Sequence, residues 1–195
     1  MTRASNPQSG LLASLRRRWA DDGAAQIVEF AVSLPLLVVF VVGIFDFSGA
    51  VSLKQKLMNA AREGARVAAS DPANDLTAAV PASVYDAAQV VDNYLLSEKI
   101  NDCGLAGAAP TQTTGLTWTV SATGSGCPGS GIKVTINRGC PTTTTSGGNT
   151  VNLIATCVTI SYAYKWQFNS VAGLVGGTFA GPSNLTTAAT AFNEN

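Results

Sequence analysis

Two sets of side chains in this sequence have the types and spacing to do chemistry. The first is Cys103, Cys127, Cys140 and Cys157, all beyond residue 100. An even number of cysteines confined to one part of a chain points to disulfides formed in an oxidising compartment. Four cysteines allow three connectivities, and their spacing does not choose among them. A zinc site is not expected, because no CxxC pair is present. The sequence has no histidine, which removes the commonest general base, the commonest metal ligand and the usual activator of a catalytic thiol. The Asp and Ser residues form no triad, metal cluster or phosphate loop. No catalytic, cofactor-binding or metal-ligating residue is therefore assigned, and the chain reads as non-enzymatic. Lys+Arg and Asp+Glu number 12 each, so net charge gives no reason to expect a nucleic-acid partner.

The second set is Glu29 and Asp46, two carboxylates bracketing the most apolar stretch of the chain. From Ala31 to Phe45, Ser33 is the only polar side chain. The residues between the two acids make about 24 Å of helix at ~1.5 Å per residue. A bilayer core of about 30 Å matches that length with a small deficit. The stretch therefore predicts a transmembrane helix over 24–47, with Asp46 read as a residue of the outer headgroup interface and not as a partner of another group. Pro35 is tolerable near the start of such a helix, where few upstream carbonyls lose a partner.

Other elements must position these residues. Residues 1–23 form a polar leader with Arg16, Arg17 and Arg18 in a row. Arginines before the span favour a cytoplasmic N-terminus. Lys54, Lys56, Arg62 and Arg66 after it weaken that bias, and the cysteines restore it by placing the C-terminal part on the oxidising side. After the span, Leu53, Leu57, Ala60, Ala61, Gly64, Val67 and Ala68 recur at three- and four-residue steps, so the helix continues as an amphipathic segment over 48–70. Its stripe of small residues permits close approach by another element. Asp71-Pro72 marks the boundary of an extracytoplasmic domain over 71–195.

Within that domain, Pro81 opens a second helix over 82–100, with Val84, Ala87, Ala88, Val91 and Leu95 on its apolar face. Alternation then predicts strands around Leu116-Trp118-Val120, Ile132-Val134-Ile136 and Val158-Ile160-Tyr162-Tyr164, with a weaker strand over 185–192. Gly- and Thr-rich segments at 121–131 and 139–150 are expected to be loops. Helices followed by strands predict an α+β fold with an antiparallel sheet.

The stretch from Gly23 to Phe47, followed by Leu53–Ser70, resembles the TadE-like pseudopilins of the tight-adherence (Flp) pilus system. The resembling features are the small residues before Ile27-Val28-Glu29-Phe30, the Leu34-Pro35-Leu36 step, Gly43–Phe47, and above all Asn59-Ala60-Ala61-Arg62-Glu63-Gly64-Ala65-Arg66. The likeness covers roughly residues 23–70. It implies a pilin-like fold and a minor structural subunit anchored once in the bacterial inner membrane. The implied partners are the membrane, other pilin-like subunits, the pilus assembly machinery and a prepilin peptidase. Cleavage that makes Glu29 the fifth mature residue falls between Ala24 and Ala25. Cleavage after glycine falls one step earlier, after Gly23. The resemblance also implies that Glu29 meets the N-terminal amine of a neighbouring subunit. Two other readings use the same residues. One is a signal peptide cut after Ser48-Gly49-Ala50, releasing a secreted protein. The other is a membrane-tethered adhesion or binding module whose sheet domain does the recognition.

Overall fold

The structure is a computed structural model that describes residues 22–146, 148–173, 177 and 181–193. The arginines of the leader lie outside the described residues. Helix α1 runs Asp22–Ser70, helix α2 Ala82–Ser97 and a short helix α3 Phe168–Ala172. The strands are β1 Thr111–Thr114, β2 Thr117–Ala122, β3 Ile132–Ser146, β4 Asn149–Ala163 and β5 Asn184–Phe192. This is the α+β fold expected from the sequence: a long apolar N-terminal helix, a second helix and an antiparallel sheet. One unit of the chain holds α1 up to Asp46 and the segment beginning at Gln167. The other holds Phe47–Trp166 and the last strand.

In the larger unit the five strands form an antiparallel meander in the order β1-β2-β3-β4-β5. Alternation gives the sheet two unlike faces. Trp118, Val120, Ile132, Val134, Ile136, Val158, Ile160 and Tyr162 are buried on one of them. The other carries Lys133, Thr135, Thr159, Ser161 and Thr190, exposed or half-buried. The buried face joins a single core with Leu57, Ala60, Ala61, Ala65 and Ala68 of α1 and the expected stripe of α2. Burying each large apolar side chain there stabilises by about 1.5–3 kcal/mol. Gly64 sets how closely the helices approach: a Cβ at this position would lie 2.8 Å from Val91 Cγ2 and 3.8 Å from Val158 Cγ1. The small residues of the stripe thus serve contact within the unit.

Helix α2 is capped by Pro81, and its N-terminus receives a carboxylate from outside: Ser83 N donates to Asp75 Oδ2 at 2.9 Å. An acidic group at a helix start satisfies an orphan amide and complements the dipole. At the other end of α1, Arg138 Nη2 donates to the Asp71 carbonyl at 2.9 Å. Arg138 is 1% exposed. Burial lowers its pKa, opposed by the nearby carboxylates of Asp75 and Asp71. Burial raises the pKa of Asp71, helped by Asp86 and opposed by Arg138.

Three local expectations are corrected. The segment 139–150 is mostly strand, because β3 and β4 pair as far as Ser146↔Asn149. Thr142–Thr145 are β-branched and pair across the hairpin with Val151 and Leu153 among their partners, so strand pairing outweighs the loop-like composition. Gly148, at φ 82°, supplies the positive φ that tight hairpins require. Leu116 lies before β2 and is 38% exposed, because a turn at Gly115 joins β1 to β2. The strand around Tyr162 ends at Ala163, short of Tyr164.

Candidate functional site

The cysteines form two bridges, Cys103–Cys127 and Cys140–Cys157, and none is free. The first ties the segment after α2 to the loop before β3. The same loop is held by Gly124 N donating to the Cys103 carbonyl at 2.8 Å and by Asn101 Nδ2 donating to the Ser125 carbonyl at 3.1 Å. The second links β3 to β4 beside the register shift between Asn137 and Cys140. A bridge closing a loop of this size contributes about 2–4 kcal/mol. Their role is structural, and among the described residues no group of three His, Cys, Asp or Glu gathers as a metal site.

The other sequence-derived candidates lie on α1. Gly23, Ala24 and Ala25 fall in its first turn, and Glu29 lies two turns in. Glu29 is exposed, and no hydrogen bond or ion pair engages it among the described residues. Around and beyond it the helix presents large apolar side chains on every side. Ile27, Val28, Leu36, Leu37 and Phe45 are 61–74% exposed. Helical residues at these steps point in several directions, so no single protein surface could cover them all. α1 carries the one helix segment among the described residues that is long and apolar enough to cross a membrane. Pro35 sits inside the helix, and Ser33 Oγ donates to the Phe30 carbonyl at 3.2 Å. A hydroxyl turned back on the helix hides its polarity from lipid.

Asp46 departs from expectation. It is 7% exposed, and its Oδ2 accepts the amide N–H of Phe168 at 2.9 Å. Three residues earlier on α1, the Phe168 ring lies close to Gly43: a Cβ there would be 3.3 Å from Phe168 Cε2. The acid is therefore a partner after all, holding the first residue of α3. Sequence reasoning missed this contact, which spans 122 positions. The traceable signal was the alternation of aromatics at Tyr164, Trp166 and Phe168.

On the far half of α1, a cleft of about 280 Å³ is lined by Val51, Lys54, Gln55, Met58, Asn59 and Arg62. All six come from one helix, so it is a surface groove and not a substrate chamber.

Residues 24–66 match the family model described as TadE-like protein. The match covers most of α1 and none of the sheet. No curated protein and no solved structure matches the chain.

Proposed function

We propose that this chain, with its TadE-like helix as the starting point, is a single-pass, non-enzymatic, pilin-like minor subunit of the tight-adherence pilus or its secretion machinery. Its N-terminus lies in the cytoplasm, and the sheet domain lies outside the inner membrane. The observation that carries the reading is a coincidence within one segment: the residues that match the TadE-like family model include an apolar helix exposed all round. The orientation rests on the two disulfides after the span and the arginines before it.

A prepilin peptidase would cut at Gly23-Ala24-Ala25, leaving a new amine a little over one turn from Glu29. A carboxylate near the edge of a bilayer is costly alone, and a cation from a neighbouring subunit offsets that cost. The exposure of Glu29 leaves it open to such a partner. The pairing would set the axial register between subunits. The signal-peptide reading fares worse: a cut after Ala50 would sever α1, with Ala50 already part of the core.

Mass spectrometry of the membrane-extracted protein tests this. A mature N-terminus at Ala24 or Ala25 is expected, whereas a start at Val51 would overturn the anchor. Glu29→Ala should abolish co-purification with pilin-like subunits and leave membrane insertion intact. Unchanged assembly would remove the pairing.

A further inference from the structure

We propose that α3 is a second lipid-contacting element, a short interfacial turn that enters the outer leaflet beside α1 and is fastened there by Asp46. The inference rests on the membrane-anchored reading of α1. Asp46 closes the apolar span, and the Phe168 ring contacts the helix at Gly43, three residues back toward the bilayer centre. At ~1.5 Å per residue this is about 4–5 Å inside the level of Asp46, at the shallow edge of the depth reached by interfacial apolar faces, about 5–10 Å.

The chain's composition suits that location. Between Lys165 and Glu194 there is no charged residue, and α3 itself reads Phe-Asn-Ser-Val-Ala. Lys165, Trp166 and Tyr164 precede it, the residue types that anchor a segment at headgroup level. Trp166 Nε1 donates to the Pro182 carbonyl at 2.8 Å and its ring meets Tyr164 edge-on, with centroids 4.9 Å apart. A turn entering lipid must satisfy its backbone internally. The amide of Phe168 does so on the Asp46 carboxylate, and the amide of Ser170 on the Gln167 carbonyl at 3.0 Å. The occupant of this surface is therefore acyl chain, by continuity with the lipid-facing side of α1: Ile44 and Phe45, which follow Gly43 along α1 at the same level, are 69% and 74% exposed. Asp46 thus joins an anchor to a loop at the membrane boundary, which explains why a carboxylate there is buried.

Depth-dependent quenching tests the proposal. In the full chain, Trp19→Phe and Trp166→Phe leave Trp118, buried in the sheet domain, as an internal reference. Phe168→Trp is added, or Val171→Trp as a second probe should the first disturb the contact with Gly43. Each protein is reconstituted in phosphatidylcholine vesicles with bromine on the upper acyl carbons. The added tryptophan should lose emission, as expected for an indole at the acyl boundary, while Trp118 is unaffected. Phe40→Trp reports on α1. If Phe40→Trp is quenched and neither α3 probe is, the turn is covered by protein or water and the proposal fails while the anchor stands. If Phe40→Trp is not quenched either, the anchor and the proposal fall together.

Discussion

The two halves of α1 are continuous in backbone and opposite in side-chain logic. From Ala25 to Phe45 most of its large apolar side chains are exposed and spread around the helix, with Val32 at 73% and only Val39 and Val42 half-buried. From Leu57 to Ala69 the buried residues are one leucine, a glycine and alanines, confined to one face. The first pattern suits a surrounding solvent that is itself apolar, and the second suits a neighbouring surface of fixed shape. Size and angular spread of the apolar residues separate the two environments better than hydrophobicity, since alanine and valine are both apolar. Lipid accepts any shape, so bulk is favoured there. A packed interior rewards fit, and α1 fits against α2 by giving up side-chain volume.

That contrast can be broken by matched substitutions. Leu57→Ala should destabilise the sheet domain by about 2–5 kcal/mol, the range for opening a cavity at a fully buried leucine. Leu37→Ala on the apolar half should leave its unfolding midpoint unchanged. Urea titration of the detergent-solubilised chain, followed by Trp118 emission, reads both, and equal losses would erase the distinction. Gly64→Ala sharpens the point at the helix contact. The new methyl meets the stiff, buried Val91, so overpacking of about 1–3 kcal/mol outweighs a helix-propensity gain of up to about 1 kcal/mol, and the same titration should register a net loss. The smallest effect concerns Asp92 on α2, which is 4% exposed. Burial, then hydrogen bonding and charge from Asp102, raise its pKa. The folded state therefore holds its proton to higher pH than the unfolded chain, whose carboxyl titrates near ~3.9. The stability from this group is fully present below that value, falls as pH rises through the raised folded value, and stays low above it. Asp92→Asn should flatten this dependence and raise the urea midpoint at neutral pH relative to acid. A steeper decline in the variant would contradict the assignment.

The apolar stripes of α1 and α2 and the inward alternation of β2, β3 and β4 were legible because each is a local repeat with a single physical cause. Elements fixed by long-range partners were not. Thr142–Thr145 become strand because Asn149–Ile154 lie opposite. Arg138 occupies an inward position on β3, where a guanidinium would be rejected by pattern alone; its Nη2 reaches the carbonyl of Asp71 across 67 positions, and the carboxylates of Asp75 and Asp71 lie near its charge. Cysteine pairing depends on which loops the sheet brings together, which no spacing encodes. The apolar span of the candidate site was readable, whereas the fastening of Phe168 to Asp46 required the fold.

The hairpin beyond the Cys140–Cys157 bridge has its own consequence. Among the described residues, 141–146 and 149–154 pair with each other and with no other strand. The bridge isolates this arm from the core, so changes at its tip need not propagate inward. The turn beside Gly148 is thus where the chain could be lengthened, or an epitope tag grafted for imaging, at least cost to the rest of the molecule.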